Sequence, residues 1–188
     1  MTDNNWMMRW VVLVVLIMVV YVGIARVLTK GSTYPEGSGA GLRKVILSTP
    51  FSLPVVAADR SSEVFKFPAG IIAGPILINF WASWCDACLS EFPLLDSLWA
   101  GELRKKKNIV MLGISVDDDQ ADVRKTERLS DGLFPVLLDA SSRFAHALNV
   151  RGIPTTLLFD RYGAVVWEHE GEMNEAHLRS LEQLVEKL

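Results

Sequence analysis

The 188-residue chain has two cysteines, three histidines and no surplus of positive charge. Each scarcity closes off a class of protein. Two cysteines cannot build the disulfide framework of a small secreted scaffold. They cannot alone form a structural zinc site, which needs four ligands. His146, His169 and His177 do not stand at metal-ligand spacing from them. Beyond residue 30 there are 16 Lys and Arg against 21 Asp and Glu, a net charge of −5. An acidic domain lacks the basic face that nucleic acid requires. No internal repeat and no long low-complexity run is present. About 150 residues follow the N-terminal segments, enough to bury a core without a disulfide to staple it. The two cysteines, Cys85 and Cys88, stand three apart, so they point first to redox chemistry.

What the sequence has in abundance is apolar length at its start. Trp10 to Ala25 reads WVVLVVLIMVVYVGIA without interruption, and Trp6, Met7 and Met8 extend it around Arg9. The stretch of about 20 residues is long enough to span a bilayer. Arg9 can snorkel to the interface, and Trp6, Trp10 and Tyr21 suit the interfacial zones. A cleaved signal peptide is the competing reading, since Gly23-Ile24-Ala25 resembles a small-x-small cleavage site. The length and bulk of the apolar core favour an uncleaved anchor. Arg9 and the free amine on one side balance Arg26 and Lys30 on the other, so charge bias does not orient the segment. Lys30 to Gly41, KGSTYPEGSGAG, reads as a flexible linker. The expected parts are an anchor or signal segment over 1–29, a linker over 30–41 and a folded domain over 42–188.

Within that domain strands and helices alternate. Pro75 to Trp81 and Ile109 to Val116 are continuous apolar runs and read as buried strands, with Val64 to Phe67 and Phe134 to Leu138 as shorter ones. Cys88 to Leu103 is an amphipathic helix with Phe92, Leu95, Leu98, Trp99 and Leu103 at helical spacing. Asp119 to Leu129 and Ser141 to Leu148 read as further helices. Thr155 to Asp160 and Ala164 to His169 form a hairpin through Arg161-Tyr162-Gly163. Asn174 caps a last helix with an apolar stripe of Leu178, Leu181, Val185 and Leu188. The first strand–helix–strand unit implies parallel pairing, and the final hairpin adds antiparallel strands. The fold class is α/β, a central mixed sheet with helices on both faces, preceded by one transmembrane helix.

Asn79-Phe80-Trp81-Ala82-Ser83-Trp84-Cys85-Asp86-Ala87-Cys88 follows a strand and opens a helix. Cys85 then falls at a helix N-terminus, where free N–H groups and the dipole favour a thiolate. Cys88 lies one turn on, on the same helical side, so the two sulfurs can pair. Cys85 would attack a substrate disulfide, and Cys88 would resolve the mixed disulfide. A c-type haem site would need His where Leu89 stands. An inert bridge would close too short a loop to restrict the unfolded chain much.

WASWC-x-x-C, Glu91-Phe92-Pro93, Phe134-Pro135-Val136 and Gly152-Ile153-Pro154-Thr155-Thr156 resemble the TlpA/ResA/DsbE group of thioredoxin-fold proteins, over roughly residues 45 to 188. The resemblance implies a thioredoxin fold and no cofactor. It implies a protein-disulfide reductase, in some members serving cytochrome c maturation. It implies disulfide-containing protein substrates and electrons from a membrane thiol reductase of the DsbD/CcdA kind. It also implies a single-pass protein of the cytoplasmic membrane, with its catalytic domain in the periplasm or on the outer surface. Pro154 is then the cis-proline facing the cysteines, leaving the backbone of Ile153 to pair with substrate. Glu91 corresponds to a buried acid able to exchange the Cys88 proton, against the plain reading of a solvated first-turn residue. Thioredoxin itself carries a buried Asp where this chain has Asn79.

Trp84 is read as covering the disulfide and forming part of the docking surface, and Trp81 and Phe80 as core. Asp86-Ala87 departs from the group, which usually has Pro before the second Cys; a negative Asp86 opposes the thiolate and makes the pair more reducing. Arg104 to Lys107 reads as a solvated helix end, and Asp117-Asp118-Asp119 as an acidic loop or helix cap. Three other functions use the same fold. A peroxidase would need a different cysteine motif. A copper chaperone would bring His146 or His169 to the two thiols. A redox-silent binding module would leave an intact CxxC unused.

Overall fold

A computed structural model of the chain describes residues 18, 51–56, 63–67, 74–101, 109–117, 119–127 and 134–188. The chain divides into two units, Met1–Ala40 and Gly41–Leu188. Apart from Met18, the described residues belong to the second. Among the described residues no helix is long and apolar enough to cross a membrane. The apolar stretch Trp10 to Ala25, save Met18, and the run Arg104 to Lys107 lie outside the described residues.

The second unit is built on a five-stranded mixed sheet of order β5-β4-β3-β6-β7. Its strands are β3 (Ile76–Trp81), β4 (Val110–Ser115), β5 (Val136–Leu138), β6 (Thr155–Phe159) and β7 (Val165–Glu170). β3 pairs parallel with β4, and β4 with β5. β6 runs antiparallel to both β3 and β7. β1 (Phe51–Pro54) and β2 (Val64–Phe67) form a separate antiparallel hairpin, tied to β5 through the Val55–Leu137 bridge. All six residues of β3 are buried, because a central strand covered on both faces has no solvent side.

Side-chain alternation divides the core. On one face Ile76, Ile78, Phe80, Leu112, Ile114, Leu157 and Phe159 pack with Leu53 and Phe67 of the hairpin. The same cluster takes in Phe144 and Ala145 of helix α3 (Arg143–Ala147). On the other face Trp81 meets Phe92 of helix α1 (Asp86–Ala100) edge to face at 5.0 Å. α1 in turn touches helix α4 (Glu175–Val185). Helix α2 (Gln120–Glu127) lies between β4 and β5 in the chain. Each fully buried Leu or Phe contributes about 1.5–3 kcal/mol, so these two layers supply most of the stabilisation. The expected α/β architecture with a mixed sheet and helices on both faces is the one observed.

Boundaries differ in ways with local causes. α1 begins at Asp86, two residues earlier than the periodicity suggested, because Cys85 is its N-cap. β1 lies in a stretch where no element was expected. Asn174 caps α4 as anticipated, with Oδ1 accepting from Ala176 and His177 N–H and His177 Nδ1 accepting from Asn174 N–H. The apolar stripe of α4 contains Leu184 rather than Leu188, since the helix ends at Val185 and Leu188 is exposed. Gly113 in mid-β4 permits a close approach. A Cβ there would stand 3.0 Å from Phe134 Cε2 and 3.1 Å from the Trp81 indole nitrogen.

Candidate active site

The chain leaves β3 at Trp81, turns through Ala82-Ser83-Trp84 and enters α1. Cys85 N–H donates to the Ala82 carbonyl (3.2 Å), which closes the turn. Cys85 has extended backbone angles and caps the helix. Its carbonyl accepts from Cys88 N–H (3.0 Å) and Leu89 N–H (3.1 Å), and its Sγ accepts from Cys88 N–H (3.2 Å). A sulfur held against a helix N-terminus in this way is where negative charge is stabilised. Cys85 and Cys88 form a disulfide with Cα atoms 5.2 Å apart. Cys88 is fully buried and Cys85 is 9 % exposed. Of the two cysteines, Cys85 is therefore the more accessible.

A residue read from the sequence as a loop acid holds this turn in place. Asp117, buried just past the end of β4, accepts from Ser83 N–H (2.8 Å), Ser83 Oγ (2.7 Å) and Ser115 Oγ (2.8 Å). The parallel register, which no sequence pattern fixes, sets Trp81 opposite Ser115 and so brings the two strand exits together. Asp119 plays the expected capping part, with Oδ1 accepting from Ala121 N–H at 2.7 Å. Asp118 lies outside the described residues.

Glu91 sits one turn beyond Cys88 and is 1 % exposed. The solvated reading of this residue is thereby excluded. Its Oε1 accepts from Asn79 Nδ2 (2.8 Å) and its Oε2 from Met173 N–H (2.8 Å). Burial pushes its carboxyl above the ordinary value of 4.5; the Met173 N–H and the Asn79 amide pull it down, and Glu172 pushes it further up. Asn79 Nδ2 also donates to Thr156 Oγ1 at 3.0 Å. Asn79 and Thr156 are register partners on β3 and β6, a pairing that sequence reading could not supply.

Pro154 follows a cis Ile153–Pro154 bond. Thr155 registers opposite Phe80, so Pro154 lies at the sheet end from which the active-site turn emerges. Its carbonyl accepts from Gly171 N–H (2.8 Å), while Ile153 is half-buried. Trp84 is 69 % exposed beside Cys85, and Asp86 is an exposed first residue of α1. Trp81 and Phe80 are core, as expected. His146 lies on α3 against the opposite sheet face from α1, and His169 packs against His177 with tilted rings whose centroids are 3.9 Å apart. Among the described residues no group of three His, Cys, Asp or Glu side chains could hold a metal ion.

Comparison with known proteins agrees with this geometry. Residues 54–185 match the model of the Redoxin family. The thiol-disulfide oxidoreductase ResA of Geobacillus kaustophilus is 31% identical over 110 residues, covering 56% of this chain and 62% of that one. The thiol:disulfide interchange protein DsbE of Xylella fastidiosa is 30% identical over 126 residues, covering 66% and 60%. The chain thus spans about three fifths of the length of these relatives. The solved structure of a thiol-disulfide oxidoreductase from Bacteroides fragilis superposes with a TM-score of 0.61 at 28% identity, covering 73% of this chain and 98% of that one. With the match extending over more than half its length, the chain belongs to the Redoxin family, within its TlpA/ResA/DsbE-like thioredoxin-fold group.

Proposed function

We propose that the chain is a thiol-disulfide oxidoreductase that reduces disulfides of extracytoplasmic proteins, tethered to the cytoplasmic membrane by its N-terminal apolar segment. The observation that carries this reading is the asymmetry of the pair: Cys85 caps α1 and keeps 9 % exposure, while Cys88 behind it keeps none. In the reduced protein the Cys85 thiolate attacks one sulfur of the substrate disulfide. The other substrate sulfur leaves with the electron pair of the broken bond. Cys88, deprotonated, then attacks Cys85 Sγ and releases the second substrate thiolate. Two electrons pass to the substrate, and the protein ends as the Cys85–Cys88 disulfide. A membrane dithiol reductase of the DsbD/CcdA kind would reverse the oxidation by the same exchange at Cys85.

Buried Glu91 supports the second step: its carboxylate, one turn on from Cys88 along α1, takes the Cys88 proton and becomes the neutral acid. Trp84 and the backbone of Ile153 beside Pro154 offer the surface on which an extended substrate can lie. Apocytochrome c and other secreted proteins with exposed disulfides are the substrate class. The test is the reduction potential of the purified full chain, read in graded thiol–disulfide buffers. A value nearer thioredoxin's (about −270 mV) than DsbA's (about −120 mV) is expected. An oxidising value would overturn the assignment as a reductase and the reducing role given to Asp86.

A further inference from the structure

Asn79 is fully buried, yet only one end of its amide is used. Nδ2 serves both Glu91 Oε1 and Thr156 Oγ1, while Oδ1 has no partner among the described residues. An unpaired buried carbonyl is costly, and here it belongs to the side chain that faces the buried acid. A half-turn of the amide exchanges its oxygen and nitrogen with little change of shape. The turned amide sets its oxygen against Glu91 Oε1 and Thr156 Oγ1. An ionised Glu91 forbids this, because two acceptors would meet. A neutral Glu91 requires it, because its hydroxyl needs an acceptor and an amide nitrogen cannot be one. Glu91 Oε2 is committed to Met173 N–H at 2.8 Å, so the proton belongs on Oε1, the atom that faces Asn79. The Thr156 hydroxyl suits both arrangements, accepting in one and donating in the other.

We propose that Asn79 is a proton-linked amide switch, a positioning residue that turns when Glu91 gains or loses a proton and so gives each charge state of the acid a matched partner. This deepens the reductase reading and rests on it for its purpose: the proton held at Glu91 Oε1 is the one Cys88 surrenders before it attacks Cys85 Sγ. The charged group acting on Glu91 is Glu172 in the loop before α4, and Cys88, three residues earlier on α1, is the titratable group one turn away on its own helix in the reduced protein. Beyond Glu172 stands His169 of β7, whose Nε2 lies 3.2 Å from the Glu172 carbonyl, with the tilted ring of His177 of α4 packed against it. Strands β3 and β6 present only the neutral Asn79 and Thr156. In the oxidised protein neither cysteine titrates, so Glu91 is the group whose charge meets Asn79 directly.

The test is nuclear magnetic resonance of the isotope-labelled, oxidised full chain in detergent, across pH. The two Asn79 side-chain N–H protons should move upfield as pH falls, with the same midpoint as the Glu91 carboxyl carbon. In Glu91→Gln, whose amide donates where the neutral acid's hydroxyl would, they should stay at the low-pH position throughout. Asn79 resonances that ignore the Glu91 titration, or that still titrate in Glu91→Gln, overturn the proposal. In turnover, Asn79→Leu removes a charge-assisted bond from the ionised acid, the stronger of the two it can make. The acidic midpoint of the rate profile should then rise by a pH unit or more, a tenfold loss on its rising limb. An unmoved profile counts against the switch. A wild-type chain that reduces no disulfide would instead sink the reductase reading, while the amide titration of the oxidised protein stays readable on its own.

Discussion

Replacing Asp117 with alanine should loosen the turn that carries Cys85. Three donors lose their acceptor at once: Ser83 N–H at 2.8 Å, Ser83 Oγ at 2.7 Å and Ser115 Oγ at 2.8 Å. The two hydroxyls can rotate toward other acceptors or water. The Ser83 N–H is fixed by the backbone and cannot. An orphaned donor costs about 1–3 kcal/mol when buried and less at the part-buried Ser83 N–H, and each lost hydroxyl bond adds about 0.5–1 kcal/mol, so Asp117→Ala should lose about 1–3 kcal/mol. Equilibrium urea unfolding of the full chain, followed by tryptophan fluorescence, measures this. Ser83→Ala, which keeps the N–H bond, should lose about 1 kcal/mol and add little on top of Asp117→Ala, since both remove the same contact. Unfolding in both redox states gives a second reading. Unequal losses must appear in the reduction potential, at about 30 mV for each 1.4 kcal/mol. A loss below about 0.5 kcal/mol, the range of an ordinary surface change, would refute the latch.

Glu91 makes stability depend on pH in a direction its burial sets. Its folded-state pKa lies above the ordinary 4.5, so the folded protein keeps a proton that the unfolded chain has already lost. Stability therefore falls as pH rises from the unfolded value through the folded one, by about 1.4 kcal/mol for each unit of elevation. Glu91→Gln should flatten that limb and be the more stable protein at neutral pH; parallel stability–pH curves for the two proteins would refute the assignment. Gly113→Ala should cost about 1–3 kcal/mol, because the new methyl meets two aromatic rings at 3.0 and 3.1 Å. An unchanged unfolding midpoint would mean that Phe134 and Trp81 can move apart freely.

The parts that could be read in advance are those where local pattern and tertiary role coincide. PILINFW is apolar throughout because β3 is central, and CxxC follows it because a strand exit feeding a helix start is where a thiolate is stabilised. Asn174 announced its helix because capping is a local hydrogen bond. What could not be read depends on register. Asp117 looks like any loop acid until β3 and β4 are aligned side by side. Thr156 looks like a strand former until it stands opposite Asn79. Met173 contributes a backbone N–H, which no side-chain pattern can reveal. β1 escaped because its alternation, FSLP, runs for only four residues and ends on a proline.

That dependence on register also explains why the polar cluster and the apolar core can share one sheet. In β3 the side chains of Ile78 and Phe80 join the cluster beneath α3, and Asn79 between them points to α1. In β6 Leu157 joins the same cluster, and Thr156 beside it turns to Asn79. Slipping either strand by one residue would send an amide or a hydroxyl into the aliphatic layer and a leucine or isoleucine against Glu91. The hydrophobic pattern of the strands is thus also what aims the proton-handling groups at the helix of the two cysteines. A buried carboxyl above its ordinary pKa is tolerable there because Asn79 and Met173 bind both of its oxygens, and those partners exist only in this one register.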